Sequence, residues 1–287
     1  MRLAYYPGCS LHSMETAYDH SVKAVCKHLG IDLWEIPDWV CCGASSAHSI
    51  DHLIGLAIPA KTLVKAEKEG LDVMAPCAAC WQRLVWVNHE VNTNTKMKEK
   101  ISKAIGEEIK GTSKVLTIME AIASVGTDKI AQAVKKPLTG LKVASYYGCY
   151  YVKPPKLTHV DDPENPQLID NLMKAIGAEA VDWPFKTECC GTSLIFQDVN
   201  TTLDMSRKVI DVATKAGAEV IVTACPVCEM NLDMRMESIN KRFKTNYHIP
   251  VVYFTELMAV ALGSSPQEVG IDKGHCSSTQ SLLAKIG

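Results

Sequence analysis

Cys41-Cys42-Gly43 occurs again as Cys189-Cys190-Gly191, and both copies belong to larger sets of five cysteines with nearly the same spacing. In each set a single cysteine lies upstream of the adjacent pair, and a Cys-x2-Cys element lies downstream. The first cysteine set is Cys9, Cys41, Cys42, Cys77 and Cys80, and the second cysteine set is Cys149, Cys189, Cys190, Cys225 and Cys228. From the adjacent pair onward the sets are 148 residues apart (41 to 189, and 77 to 225). Ten of the twelve cysteines therefore lie in an internal repeat.

The composition is that of an ordinary globular protein in which only the cysteines need a special explanation. Of the 287 residues, 47% are hydrophobic and 22% are charged, and the formal net charge is −2. Such a chain has no basic field for nucleic acid or anionic membranes, and no apolar run reaches the roughly 18 residues of a membrane helix. The N-terminus lacks an apolar core of signal-peptide length. We therefore expect a cytoplasmic protein whose cysteines are metal ligands or redox groups, with no nucleic-acid or membrane partner.

Short apolar runs alternate with helical patterns in the same order in both halves of the chain. The predicted strands are residues 2–6, 31–36, 72–75 and a fourth from 115, then 141–147, 179–183, 220–223 and 251–254. This alternation predicts an α/β protein with two similar doubly wound parallel-sheet (Rossmann-like) domains related by a pseudo-twofold. We assign residues 1–137 and 138–263 to the two domains and 264–287 to a polar, irregular tail. Each cysteine element follows a strand, so each set converges beyond the carboxyl ends of one sheet.

Five cysteines in each half exceed the need of a common metal site. Zinc and a cubane [4Fe–4S] cluster both take four protein ligands. One cysteine is then spare, or one thiolate bridges two irons of a less regular cluster. The adjacent cysteines can share one site only in a turn, which Gly43 and Gly191 permit. Zinc in one half stays open, whereas a thioredoxin-type dithiol and a vicinal disulfide fit the full pattern less well.

The remaining metal-ligating side chains have simpler interpretations. Cys26 lies on the apolar face of a predicted helix and is expected in the core. Cys276, beside His275 in the tail, is expected to be a free thiol. His48 and His52 have the i, i+4 spacing of a zinc pair, but no third ligand is near in sequence, which favours a solvated helix face.

The doubled pattern Cys-x31/39-Cys-Cys-Gly-x34-Cys-x2-Cys resembles the cysteine-rich, or CCG, domain family. The pairing of two such domains in one chain resembles the B-subunit family of heterodisulfide reductases from methanogenic archaea, over the chain to about residue 263. The resemblance implies that each half binds a non-cubane [4Fe–4S] cluster through all five cysteines of its set. It also implies an oxidoreductase that cleaves the mixed disulfide of coenzyme M and coenzyme B between the two clusters in methanogenesis.

The sulfonate and phosphate of such a substrate predict basic groups at the entrance of the site. Our candidates, Lys153 first, are Lys153, His12, Arg83 and Lys186. Lys153 follows Cys149 closely and resembles a family position that is usually basic. His12 holds a similar place after Cys9.

The sequence shows no route for electrons into the chain by itself. It has no flavin or nucleotide fingerprint and no ferredoxin-type CxxCxxCxxxCP run. The resemblance implies two partners, a small ferredoxin-like iron–sulfur protein and a flavin-containing protein, with a hydrogenase or formate dehydrogenase as a further member of an electron-bifurcating complex. The alternative is an iron–sulfur electron-transfer subunit of a lactate, glycolate or succinate type of complex, with zinc in one half.

Overall fold

The computed structural model describes residues 1–44 and 47–286, which form two parallel sheets surrounded by helices. The strands are β1 Arg2–Tyr5, β2 Asp32–Glu35, β3 Val73–Ala75, β4 Val115–Thr117, β5 Lys142–Tyr146, β6 Glu179–Ala180, β7 Val220–Thr223 and β8 Val251–Tyr253. The helices are α1 Gly8–Leu11, α2 Thr16–His28, α3 Ala47–Ile50, α4 His52–Lys68, α5 Ala78–Thr93, α6 Thr95–Ile105, α7 Ile118–Ala123, α8 Thr127–Ala133, α9 Leu168–Ala175, α10 Val199–Lys215, α11 Pro226–Asp233, α12 Met236–Phe243, α13 Phe254–Ala261, α14 Pro266–Val269 and α15 Gln280–Ile286.

The two sheets have the same topology. Their strand orders are β2-β1-β3-β4 and β6-β5-β7-β8, and every pair is parallel. In each sheet the strand order reverses between its two central strands, β1 and β3 or β5 and β7. Such a reversal opens a crevice beyond the carboxyl ends of those strands, where ligands of doubly wound folds bind. The predicted fold class, two repeated Rossmann-like domains, is confirmed.

Helices α2 and α13 join the two halves of the molecule. The hydroxyls of Ser21 and Thr255 are 2.7 Å apart and both residues are fully buried. The rings of Tyr18 and Tyr253 stack with centroids 3.8 Å apart and planes inclined by 4°. Because α13 packs against helices of both halves, even its polar residues are buried, which explains its nearly continuous apolar sequence. The two halves therefore share a core.

Residues 264–286 correct the expectation of an irregular tail. They contain α14 and α15, and they bury the apolar side chains of Val269, Ile271, Leu282 and Ile286. Ser265 and Glu268 form a capping box that begins α14. Helices of four and seven residues are too short to give a clear helical period, so the segment resembles a polar loop in sequence. We propose that the two domains meet near residue 137, between α8 and β5, and that the second ends near residue 263.

Among the described residues, no helix has the length and hydropathy needed to cross a bilayer.

Candidate metal centre

The ends of three strands in each sheet hold the cysteines. Cys9 lies in α1 directly after β1, Cys41 and Cys42 lie in the loop after β2, and Cys77 is the N-terminal cap of α5 after β3. The second sheet repeats this arrangement. Cys149 follows β5, the pair Cys189 and Cys190 follows β6, and Cys225 caps α11 after β7. The parallel strands therefore deliver each cysteine set to a single sheet edge.

The thiols of each set approach one another closely. In the first set, Sγ of Cys42 lies 3.3 Å from Sγ of Cys80. In the second set, the equivalent Cys190 and Cys228 sulfurs are 3.6 Å apart. A disulfide would need about 2.05 Å, whereas two thiolates bound tetrahedrally to one metal at about 2.3 Å are about 3.8 Å apart. The observed separations are those of unbonded thiols in hydrogen-bonding contact, close enough for one metal centre to reach both.

The other cysteines extend these pairs into sets. Sγ of Cys149 lies 3.9 Å from Sγ of Cys189. Cys41 hydrogen-bonds to Cys42, while Cys77 hydrogen-bonds to Cys80 and Cys225 to Cys228. Cys9 interacts electrostatically with Cys41. The structure thus places the cysteines of each predicted set at the edge of one sheet, with the closest sulfurs in pairs.

Glycines make room for the sulfur atoms. A Cβ added to Gly8 would lie 2.9 Å from Sγ of Cys80, and one added to Gly148 would lie 3.1 Å from Sγ of Cys228. Both glycines have positive φ, +72° and +67°, which other residues rarely adopt. The residue before each upstream cysteine therefore has to be small for the set to assemble.

Two tyrosines position the loops that carry the adjacent cysteines. The Tyr6 hydroxyl donates to the carbonyl of Val40 at 2.7 Å, directly before Cys41. The Tyr146 hydroxyl donates to the carbonyl of Glu188 at 2.6 Å, directly before Cys189. Each tyrosine lies at the carboxyl end of a central strand, so the strand fixes where the adjacent cysteines begin.

One thiol of the first adjacent pair, Cys42, and both thiols of the second, Cys189 and Cys190, are favoured as thiolates, because hydrogen bonds with neighbouring groups lower their pKa values. Hydrogen bonds with the thiols of Cys41 and Cys80 lower the pKa of Cys42. The Cys149 thiol lowers the pKa of Cys189 to about 6, and the backbone N–H of Gly191 also donates to its sulfur at 3.3 Å. Thiolates are the form in which cysteine binds metals. Together with the separations and the glycines, these shifts fit an anionic, sulfur-bound metal centre in each half.

Hydrogen bonds tie the elements that carry the two cysteine sets together across the boundary between the halves. Gln82, two residues after Cys80, donates its side-chain amide to the carbonyls of Tyr150 at 3.1 Å and Lys153 at 2.7 Å. Both acceptors lie in the loop after Cys149. A ligand of the first set is thereby tied to the loop of a ligand of the second, a contact for which the sequence gives no signal.

Two of the four predicted basic residues act on the cysteines. The positive charge of Arg83 helps to lower the pKa of Cys42, and the positive charge of Lys153 helps to lower the pKa of Cys189. Lys153 is exposed and Arg83 is half-buried. Both positions are compatible with the predicted entrance.

The other two basic residues have partners within the fold. Nε2 of His12 lies 3.1 Å from a carboxylate oxygen of Glu35, and the ring packs edge-on against Trp39. Lys186 is 3% exposed, and its Nζ lies 3.1 Å from Oδ1 of Asp170. Because the buried Asp170 carboxylate already compensates its charge, Lys186 has a structural role in this position, and we omit it from the entrance.

A buried ion-pair network in the last segment of the chain was not predicted. Nδ1 of His275 lies 2.8 Å from Glu229, and its Nε2 lies 3.0 Å from Glu256. The two carboxylates raise the pKa of His275 to about 11 against the opposing effect of burial. This His275 network (His275, Glu229 and Glu256) holds the tail against α11 and α13. Cys276, the residue after His275, is exposed.

Cys26 lies in the core, as the sequence predicted, with 1% of its surface exposed.

Comparison with known proteins supports the assignment made from the cysteines. The family described as "Cysteine-rich domain" (CCG) matches residues 3–84 and 143–233, one copy in each half. A crystal structure of a hypothetical protein from Helicobacter pylori has the same fold, with a TM-score of 0.75 at 12% identity. That likeness covers 96% of this chain and 52% of the other.

Two relatives are similar over nearly the whole chain. One is the 8-methylmenaquinol:fumarate reductase membrane anchor subunit of Wolinella succinogenes, 32% identical over 96% of this chain and 98% of its own. The other is the B subunit of the ferredoxin:CoB–CoM heterodisulfide reductase of Methanosarcina mazei, 32% identical over 99% of this chain and 97% of its own. The chain therefore belongs to the cysteine-rich CCG domain family, together with the B subunits of heterodisulfide reductases.

Proposed function

We propose that this chain binds one iron–sulfur cluster in each half and is the disulfide-reducing subunit of an oxidoreductase complex. The observation that carries the proposal is the presence of two complete five-cysteine sets, gathered at two sheet edges that are tied together by Gln82. A relay would need only a single path for electrons. Two similar centres on sheet edges that are joined through Gln82 suit a substrate with two sulfur atoms to reduce.

The overall reaction splits one S–S bond, consumes two electrons and two protons, and releases two thiols. The five cysteines of the first set would bind one cluster, and the five cysteines of the second set would bind the other. The resemblance implies that both clusters have the non-cubane form. When bound, such clusters supply electrons one at a time and iron atoms with high affinity for sulfur. The proposed substrate is the mixed disulfide of coenzyme M and coenzyme B or a disulfide with similar charged ends.

The exposure of the cysteines indicates where a substrate approaches. Cys9 and Cys41 are exposed, and Cys149 and Cys189 are partly exposed. The Cys-x2-Cys elements and the second members of the adjacent pairs are buried. The buried thiols hold the centre in a dry environment, while the side with the upstream cysteines is open. Lys153 stands on that open side and brings a positive charge to anionic substrates.

Electrons must come from partner proteins. We propose a ferredoxin-like iron–sulfur protein as the direct donor and a flavin-containing protein that supplies it, as in the complexes that the resemblance implies. A hydrogenase or formate dehydrogenase would be the source of electrons for the flavin.

Metal and sulfide analysis with a disulfide reduction assay tests the proposal. The full chain, prepared without oxygen, should contain about four irons and four sulfides per half. With a reduced viologen as donor, it should convert a disulfide to thiols in proportion to its iron content. A chain that holds zinc in either half, or that is iron-loaded and leaves every disulfide intact, would contradict the proposal.

A second function is favoured by the equal similarity to the fumarate reductase subunit of Wolinella succinogenes. In that case the chain passes electrons between partners and reduces no disulfide itself. The same assay separates the two functions, because a chain that only transfers electrons would oxidise the viologen only when a partner and its acceptor are present.

A further inference from the structure

A small cavity lies beside the first cysteine set. It has a volume of about 220 Å³ and is lined by His48, His52, Gly55, Leu56, Arg83 and Trp86. Helices α3 and α4 can approach this closely only because Gly55 has no side chain. A Cβ there would lie 2.8 Å from Cα of His48.

The nitrogen groups that line this cavity have no protein partners. Neither His48, His52 nor Arg83 makes a hydrogen bond or ion pair with any residue in the ranges 1–44 and 47–286. In contrast, His12 is paired with Glu35, Lys186 with Asp170 and His275 with two glutamates. A half-buried guanidinium without a hydrogen-bonded anion is unusual, because partial burial weakens its hydration. The cavity therefore offers hydrogen-bond donors that have no acceptor among the described residues, and a positive charge that also lowers the pKa of Cys42.

The cavity belongs only to the N-terminal half. With the offset of 148 residues, His48 and His52 correspond to Phe196 and Asn200, while Arg83 and Trp86 correspond to Asn231 and Met234. Helices α4 and α5 align with α10 and α11 at this offset, so the comparison is structural as well as sequential.

Asn231, which corresponds to Arg83 in the C-terminal half, forms hydrogen bonds within the protein. Asn231 donates to the carbonyl of Cys190 at 2.7 Å and accepts from Nε of Arg235 at 3.0 Å. Phe196 is 96% exposed and Met234 is 47% exposed. The two halves therefore present different chemistry around otherwise matching cysteines, cationic in the first and apolar in the second.

We infer that the cavity binds an oxyanion, a phosphate, sulfonate or carboxylate, at one end of an asymmetric substrate. The inference rests on the proposed disulfide reduction and deepens it, because it orients the substrate. Arg83 provides the charge and a flat, multidentate donor suited to oxyanions. His48 and His52 add ring N–H donors, and Trp86 covers one wall. Since Arg83 lies one turn after Cys80 in α5, an anion held there lies near the first cysteine set. The other, apolar arm of the disulfide then lies over the C-terminal half.

Calorimetric titration of the cluster-loaded chain with ethanesulfonate and inorganic phosphate tests anion binding without turnover. The unaltered chain should bind either anion with saturation. Arg83→Gln should weaken binding by tenfold or more, about the effect of losing a hydrogen bond to a charged group. His52→Asn, which installs the residue of the other half, should weaken it by a few-fold. Lys241→Gln, which removes an exposed charge on α12, is the matched control and should change nothing.

Turnover with two disulfides separates this inference from the proposed function. Arg83→Gln should raise KM for bis(2-sulfoethyl) disulfide by about tenfold more than it raises KM for the neutral 2-hydroxyethyl disulfide, because only the former carries an oxyanion. If Arg83→Gln also loses iron, His52→Asn decides, because His52 touches no cysteine. Failure of the unaltered chain to cleave either disulfide would count against the proposed function, and calorimetry would still report on the cavity. Absent saturation, or equal anion binding by Arg83→Gln and the unaltered chain, would overturn the inference.

Discussion

Tyr18 and Tyr151, one from each half, hydrogen-bond to the same two backbone carbonyls. The Tyr18 hydroxyl lies 2.7 Å from the carbonyl of Ala224 and 3.4 Å from that of Pro76. The Tyr151 hydroxyl lies 2.5 Å from Pro76 and 3.1 Å from Ala224. Each tyrosine thus makes its shorter bond across the boundary, to the residue directly before the Cys-x2-Cys element of the other half. Both cysteine sets share one buried junction.

Replacing either tyrosine with phenylalanine should destabilise the protein. Tyr18→Phe or Tyr151→Phe leaves a buried carbonyl with a weaker partner, at a cost of about 1–3 kcal/mol each. The double variant should lose more than the sum, because each single variant leaves both carbonyls one hydroxyl partner, whereas the double variant leaves them none. Urea unfolding of the single and double variants would measure these values. Tyr150→Phe is the control, since its hydroxyl has only a 3.4 Å contact with Ser193 at the surface. Additive losses would contradict the shared junction.

Adding a methyl group at the glycine before an upstream cysteine should empty the nearby metal centre. In Gly8→Ala the new Cβ would meet Sγ of Cys80, and in Gly148→Ala it would meet Sγ of Cys228. We expect each variant to lose about half of the iron, the half that belongs to its own set. Iron and sulfide analysis after anaerobic preparation would measure the loss.

The control for these variants must separate backbone strain from the clash with sulfur. Gly30 has φ +70° and Gly140 has φ +79°, and an added Cβ would meet no atom within 4 Å at either position. Gly30→Ala and Gly140→Ala should therefore lower the free energy of unfolding by about 1–2 kcal/mol, because alanine is strained at positive φ. Both variants should keep all the iron. Equal iron loss in the controls would show that fold stability, rather than space for the sulfurs, governs loading.

The His275 network should make the tail sensitive to alkaline pH. Because the pKa of His275 rises from 6.5 to about 11 on folding, its stabilisation is full below about pH 6.5 and is lost as pH rises to about 11. His275→Ala should cost roughly 3–5 kcal/mol at neutral pH by leaving buried carboxylates unpaired, and should move the decline to lower pH, because burial raises the pKa of Glu229 to about 8 even beside His275 and raises it further without that cation. Urea unfolding across this pH range, with trypsin digestion at Lys273, would check both. A decline over the same pH range in the variant would refute this role.

Lys186 should behave as a structural residue. Lys186→Met removes the partner of the buried Asp170 carboxylate and should cost roughly 3–5 kcal/mol. Lys186→Met with Asp170→Asn should recover part of this loss, because no unpaired charge remains. Thermal unfolding would measure both. Neither variant should change KM for an anionic disulfide, and an increase in KM at unchanged stability would return Lys186 to the substrate entrance.

The sequence predicted the fold and the gathering of the cysteines because both follow from local patterns. Apolar strands end directly at Cys9, Cys77 and Cys225, and parallel strands bring their carboxyl ends to one edge. The contacts that it missed join distant residues. Tyr18 reaches a carbonyl 206 residues away and His275 a glutamate 46 residues away, through the packing of two halves that no short pattern encodes. The same holds for the cavity at Arg83, whose histidines the sequence predicted on a solvated helix face.

The central claim, that both halves carry out the reaction, is tested most directly by disulfide cleavage in Cys42→Ala and Cys190→Ala with a reduced viologen as donor. Each substitution removes one buried thiol of an adjacent pair, from the first and second set respectively. Iron content and circular dichroism would establish that each variant is folded and that its untouched half is loaded. We predict that both variants lose disulfide cleavage, although viologen bypasses any partner protein. Substantial cleavage by either folded variant would contradict the account and leave that half as an electron relay.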